Sequence, residues 1–451
     1  MKNTVTLFEH EEKPFAWKDR DLATLEGMQD ATGIKMLHAS VRGNQRRLKA
    51  AQHVGVVRLG NRTIQVLPKI YRSPETAKRE AQEREATCNL LHMLTYAGDL
   101  PIREHELAPL CQRDRDWFEI LTHLFARHLL EEWQRGAYRG YQAVEDELPT
   151  LKGKWRIANQ LRRPERKHLF CVSYDEFTAD NRLNRVFRYV VERLFRLTRD
   201  ADNQQLLGEL RQWMEEVTLL PHVTVHDASP AQITRLNQRY EPLLNLAGLF
   251  LDGGALQMQA GDVTTFAFVF DMNQLFEMFL AKFIQRHREE ILPDNLKGCA
   301  LLLQSRGISL YLAERACHGE VFRLKPDLVF LMPTENSDKP FPLLLDMKYK
   351  ILDRDNRRQG IARDDFYQMH AYAHRYKCPR VVLVYPQIAE MLEPLHEAFE
   401  LQESDKIVTA ATVDLRIRLE TNEGRRHLKE ELTEILKKAF EREEQHAESK
   451  N

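Results

Sequence analysis

Two acids and a lysine carry the chemistry this sequence can perform: Asp327, in Pro326-Asp327, and the pair Asp346 and Lys348. They sit in LKPDLVFLMPTENSDKPFPLLLDMKYK, where two apolar runs flank a turn rich in Pro, Asn, Ser and Asp. That pattern predicts a β-hairpin. With the turn centred on Asn336-Ser337, Asp327 falls directly opposite Asp346, about 5 Å across the ladder, so both carboxylates can share one cation. Strand alternation puts Lys348 on the face of Asp346 and turns Leu345 and Met347 into the core. Two carboxylates suit a hard cation such as Mg²⁺, with Mn²⁺ as a substitute, and leave positions for water and a phosphate oxygen. Such a cation lowers the pKa of bound water and stabilises charge developing on phosphorus. Lys348 would position or help deprotonate that water, or stabilise the pentacovalent oxygens. The expected reaction is phosphodiester hydrolysis. A D-x-K can equally lie on a solvated strand face. The literal Pro326-Asp327, the apolar run before Asp346 and the flanking helices favour catalysis.

The elements around this hairpin must bring further groups to it. A helix expected from about Asp271 to Arg288 carries Leu275, Phe276, Phe279, Leu280 and Phe283 as one apolar stripe. Glu277 lies at the border of that stripe, as a third metal ligand or as an ordinary boundary glutamate. On a later helix, about 364–376, Gln368 and Tyr372 share a face at i,i+4. His370 and His374 have the spacing of a zinc pair but lie on another face and lack the HExxH glutamate, so exposed histidines are expected. Arg354, Arg357, Arg358 and Arg363 follow the D-x-K strand and are candidates for DNA phosphate contact. Arg162 to Lys167 form a second basic group, read as a solvated loop. Strands are expected near 300–312, 324–332, 341–349 and Arg380–Tyr385, and a charged helix over 425–447.

Upstream, Val54–Leu59 and Thr63–Leu67 flank Gly60-Asn61, a pair suited to a tight hairpin turn. The run Gly55 to Gly60 mimics a phosphate loop but lacks its lysine and lies between strands, so no nucleotide-hydrolysing site of the chain's own is expected. Residues 75 to 140 read as helical, 141–180 as mixed, Asn181–Leu197 and Gln204–Val217 as helices, and 221–265 as loose around Gly253-Gly254. The reading is α/β: a β-rich N-terminal domain over 1–72, a mainly helical adaptor over 73–262, and a mixed sheet flanked by helices over 263–451, of PD-(D/E)xK restriction-endonuclease-like type. With 451 residues, 43% hydrophobic and 29% charged, the chain is an ordinary globular composition. A net charge of −1 means that DNA contact must come from local basic patches. Six scattered cysteines without a CxxC pair point to reduced thiols and no zinc framework. Without a signal peptide or an apolar run of about 18 residues, a cytoplasmic, non-membrane protein is expected.

Several stretches taken in order, VGVVRLGNRTIQVLPKI, NLLHMLTYAGDL, LKGKWRIANQL, YDEFTADNRLNRVFR, MNQLFEMFLAKFI, KPDLVFL, LLLDMKYK and DDFYQMHAY, resemble the McrC family. Its members are nuclease subunits of McrBC-type systems that restrict modified (5-methylcytosine) DNA. The resemblance spans about residues 54 to 385. It implies a PD-(D/E)xK active site at Asp327, Asp346 and Lys348, with Gln368 and Tyr372 as the extra motif known from RecB-type nucleases. It also implies a McrB-like AAA+ GTPase ring as partner, which binds the GTP and whose hydrolysis is stimulated. Where members often have D-A-K, this chain has Asp346-Met347-Lys348, a change on the face away from the site. Arg42, Arg46 and Arg47, before the Val54 strand, are candidate contacts to that ring. Two other readings stay open, a self-sufficient RecB-like repair nuclease and a non-catalytic adaptor of a ring ATPase.

Overall fold

The computed structural model describes residues 4–32, 35–43, 45–59, 62–72, 79–97, 109, 115–166, 168–253, 266–316, 318–333, 340–352, 359–391 and 393–440. The chain divides into two compact units, one of Met1–Asp114 with Val269–Asn451 and the other of Arg115–Phe268.

In the first unit, strands β1 (Thr4–Phe8), β2 (Glu12–Pro14), β3 (Leu37–Arg42), β4 (Gln45–Ala50), β5 (His53–Leu59) and β6 (Arg62–Leu67) form the N-terminal part, with helix α1 (Asp19–Thr32) between β2 and β3. The hairpin read around Gly60-Asn61 is present, with Leu59 paired to Arg62. One sheet has the order β1-β6-β5-β10, where β10 is Phe266–Asp271, and another has the order β2-β4-β3. Helix α1 interrupts a region read as β-rich. Its sequence, DRDLATLEGMQDAT, has only weak amphipathic patterning, so periodicity does not announce it. Helix α2 (Arg79–Ala97) follows, with Leu90, Leu91, Met93 and Leu94 buried.

The second unit holds α3 (Trp117–Gln134), β7 (Gly140–Leu148), β8 (Lys154–Trp155), α4 (Ile157–Leu161), β9 (Phe170–Thr178), α5 (Arg182–Leu197), α6 (Ala201–Trp213) and α7 (Glu241–Gly253). Phe125, Phe187 and Tyr240 are fully buried there. The stretch read as mixed, 141–180, is a three-stranded sheet in the order β7-β9-β8.

After β10 the chain returns to the first unit through α8 (Met272–Arg286) and the short α9 (Arg288–Ile291). Strands β11 (Ala300–Leu303), β12 (Leu310–Arg315), β13 (Gly319–Leu324), β14 (Leu328–Leu331), β15 (Leu344–Met347), helix α10 (Arg363–Arg375), β16 (Arg380–Pro386), β17 (His396–Glu400), β18 (Ile407–Val413) and helix α11 (Asn422–Lys438) complete it. The central sheet has the order β11-β14-β15-β16-β18-β17. Its first three strands pair antiparallel, and β15, β16 and β18 run parallel. Every residue of β16 is buried, as expected of a strand covered on both faces. The strand expected over 300–312 is broken at Gln304 and Ser305, both at positive φ, so β11 stays in the sheet and β12 leaves it to pair with β13. Strands β17 and β18 lie in a stretch that the sequence reading left unassigned.

Packing joins residues 1–114 to 269–451, a different division from boundaries at 72 and 262. The Asn89 side chain donates to the carbonyls of Leu415 (3.0 Å) and Ile417 (2.7 Å) and accepts from Leu419 N–H (3.0 Å). Tyr71 donates to the same Leu415 carbonyl at 2.6 Å. The backbone after β18 is thus satisfied from the N-terminal part, which no local pattern reveals. Cys171, Cys299 and Cys378 are free and buried. Cys88 is disulfide-bonded, with its partner outside the described residues, where scattered spacing led us to expect six reduced thiols.

Candidate active site

The apolar runs 328–330 and 343–345 bury completely or nearly so, and this pulls the polar residues at their ends inward with them. Leu328 pairs with Leu345 and Val329 with Leu344, the register that sets Asp327 across from Asp346. The connecting residues 334–339, including Asn336-Ser337, lie outside the described residues. Asp327 is 7% exposed and Asp346 1%. Met347 N–H donates to Asp327 Oδ2 at 2.7 Å, which fastens one acid to the strand of the other. Leu345 and Met347 are buried, as expected. Lys348 Nζ stands 2.6 Å from Asp346 Oδ2. The pair is largely buried, with Asp346 the deeper of the two.

These carboxyls are held in an uncomfortable state. Burial, then the negative charge of Asp346 and Glu277, pushes Asp327 up to about 8. Burial also raises Asp346, against the opposing pull of Lys348. Desolvation pulls Lys348 down, but the charge and contact of Asp346 together with the charges of Asp327 and Glu277 outweigh it, so Lys348 is raised in turn. Glu277, half-buried on α8, is pushed up to about 7 by burial, with Lys348 opposing and Asp346 and Asp271 adding. The two adjacent buried carboxyls form an oxygen donor set that a hard divalent cation fits, with the Lys348 ammonium beside it. Among the described residues no three His, Cys, Asp or Glu side chains close on one point. Glu277 therefore feels the pair without completing a three-carboxylate cage.

Helix α10 brings the next layer. Gln368 Nε2 donates to the Tyr372 hydroxyl at 2.6 Å, and burial beside Asp346 and Asp327 raises that phenol far above its usual range. The i,i+4 pair thus faces the carboxylates. His370 and His374 stack at 4.3 Å on the exposed side, as expected. Arg363 is exposed at the first position of α10, whereas Arg354, Arg357 and Arg358 lie outside the described residues. Arg42, Arg46 and Arg47 lie on the β3–β4 hairpin, not in a loop. Arg42 and Arg47 pair with Glu12 at 3.8 and 3.2 Å, and Arg46 pairs with Asp19 at 3.3 Å.

Three residues near the site escaped the sequence reading. Buried Asp365 takes Lys350 Nζ at 2.7 and 2.9 Å and the Tyr385 hydroxyl at 3.3 Å, and its charge reaches Asp346. The sole signal was Lys350 two places after Lys348. On the opposite flank Tyr349 donates to Glu9 at 2.7 Å, and its ring lies 5.9 Å from that of Phe276. Glu9 is 340 residues away in sequence, with no pattern linking the two.

A solved chain from the refined half-complex of a tetradecameric assembly of Thermococcus gammatolerans McrB AAA+ hexamers with bound McrC is 25% identical. It superposes at TM-score 0.67 over 96% of this chain and 100% of that one. A second, from the cryo-EM structure of the Thermococcus gammatolerans McrBC complex, is 28% identical over 63% of this chain and 88% of that one, at TM-score 0.49. No functionally curated protein matches. Among the described residues no helix is long and apolar enough to cross a membrane. The profile of the McrBC 5-methylcytosine restriction system component matches residues 48–386, and the chain belongs to that family.

Proposed function

We propose that this chain is the Mg²⁺-dependent endodeoxyribonuclease subunit of a McrBC-like restriction system, built on a PD-(D/E)xK core and serving antiviral defence. It cuts DNA when activated by an AAA+ GTPase ring whose GTP hydrolysis it stimulates. The observation that carries the reading is the cross-strand pair Asp327 and Asp346 with Lys348 beside it.

Asp327 and Asp346 would hold the cation, which when bound supplies a water of lowered pKa and charge stabilisation at phosphorus. Lys348 keeps its proton because of Asp346, so its part is a fixed positive charge beside the phosphoryl oxygens and not that of a base. Glu277, poised at about 7, is the group suited to take or return a proton near neutral pH. Tyr372, which accepts from Gln368, holds its hydroxyl proton within the field of Asp346 and Asp327. The exposed Arg363 is a phosphate contact. Of the three N-terminal arginines, Arg42 is the most exposed and best placed to reach a partner, while Arg46 and Arg47 first hold β3–β4 to Glu12 and Asp19. The structural neighbour, solved with McrB hexamers, supports the partner.

The test is to mix the purified chain with its genome-neighbour AAA+ protein and follow GTP turnover and cleavage of methylated duplex. Turnover should rise on mixing, and cleavage should need both proteins, GTP and Mg²⁺ and vanish with Asp346→Ala. Cleavage by this chain alone, indifferent to ring and nucleotide, would replace this reading with the solitary repair nuclease. Stimulated GTP turnover with no cleavage under any metal would leave the non-catalytic adaptor.

A further inference from the structure

The sheet's departure at Gln304 and Ser305 releases a two-stranded ribbon, β12–β13, whose return strand leads directly into Pro326-Asp327. Its base is pinned to the site. Gln304 N–H donates to the Asp327 carbonyl at 2.8 Å, and Arg375 Nε on α10 donates to the Tyr311 carbonyl at 2.7 Å. Leu324 is buried, while the described residues from Leu312 to Glu320 are exposed on both faces, so the ribbon projects from the core. Phe322 takes φ +60°, and the ladder skips its rung with Leu312 while the register on either side is kept.

The ribbon's two faces differ in charge. Tyr311 pairs with Arg323 and Arg315 with Gly319, so alternation puts Tyr311, Arg315 and Arg323 on one face. Glu314 pairs with Glu320 on the other. Arg306 and Lys325 flank the base, both exposed. Arg315 lies four residues along β12 from the partner of Arg323, about 13 Å at 3.3 Å per residue. The major groove of duplex DNA is about 12 Å wide and admits a two-stranded ribbon, whereas the minor groove, about 6 Å, does not.

We propose that the β12–β13 ribbon is a DNA-contacting arm lying across the major groove beside the scissile phosphate, with Arg315 and Arg323 each meeting a phosphate on one rim. This rests on the nuclease reading above, and its test is separable from it. The full chain carrying Asp346→Ala, which cannot cut, is titrated with a fluorescein-labelled 30-base-pair duplex over a salt series. Arg315→Gln with Arg323→Gln should reduce the salt slope by about 2 and weaken binding on the order of 60-fold at about 0.1 M salt. Arg426→Gln on α11, a loss of one charge remote from the arm, should change neither. Netropsin filling the minor groove should leave binding in place. Parental affinity and slope in the double variant would overturn the arm while leaving the catalytic site to its own cleavage test. So would netropsin displacement, or loss of GTPase stimulation with DNA affinity intact, which would make the ribbon a protein contact.

Discussion

Replacing Asp327 by Asn should make the metal-free protein more stable while abolishing its chemistry. Asp327 is held at about 8 against an ordinary 3.8, first by burial and then by the charges of Asp346 and Glu277. A carboxyl raised in the folded state contributes stability present below its unfolded pKa and lost as pH rises through the folded one. At 1.4 kcal/mol per pH unit the loss is roughly 2 kcal/mol by about pH 5.5 and approaches roughly 5 kcal/mol above pH 8. Asn has nearly the same shape and can still accept the Met347 N–H, so little is lost in exchange. Its removal also relieves Asp346. In EDTA, with about 2 °C of melting temperature per kcal/mol for a unit of this size, Asp327→Asn should melt on the order of 10 °C higher than the parent near pH 8.5, and less than half that near pH 5.5. Adding Mg²⁺ should narrow the gap near pH 8.5 by about half, because binding to the parent stabilises it by about 2.7 kcal/mol at a hundred times Kd. Differential scanning calorimetry at the two pH values, with and without Mg²⁺, measures all of this. An Asn variant that melts no higher than the parent at either pH would refute the claim that uncompensated negative charge is buried here.

Further outcomes follow from other features of the same unit. Lys348→Ala should be inactive with Mg²⁺ or Mn²⁺ yet still bind metal by calorimetry, since it supplies charge and not a ligand, and Ca²⁺ should not support cleavage by the parent, since its looser coordination orients the water poorly. Glu9, pushed up to about 7 by burial, contributes stability below its ordinary 4.5 that is lost as pH rises toward 7, so its own share of the parent's loss between about pH 5 and 8 should be roughly 3 kcal/mol by urea unfolding, and Glu9→Gln should remove that share and leave the share of Asp327. Asn89→Ala strands the Ile417 carbonyl and the Leu419 N–H, while the Leu415 carbonyl keeps its bond from Tyr71, and should cost about 3 kcal/mol. By the same contacts, a fragment starting near residue 262 should expose apolar surface, seen as dye binding, instead of folding as a separate nuclease domain.

The sequence by itself determined the pairing of the Asp327 and Asp346 strands. Alternation has a period of two, and two apolar strands with a polar turn admit few registers that bury both, so Asp327 opposite Asp346 followed from counting. The i,i+4 face of Gln368 and Tyr372, and the outward face of His370 and His374, followed from the helix period in the same way. Tertiary structure decided what those periods cannot carry. Local spacing says nothing about how much water surrounds a carboxyl, so the burial that raises Asp327 and Glu277 was invisible, as was the proton that Asp346 keeps on Lys348. The partnership of Glu9 with Tyr349, and of Asn89 with the backbone after β18, joins segments hundreds of residues apart. Buried polar groups must find partners wherever the chain folds back, and that need merges residues 1–114 with 269–451 across a boundary drawn from composition.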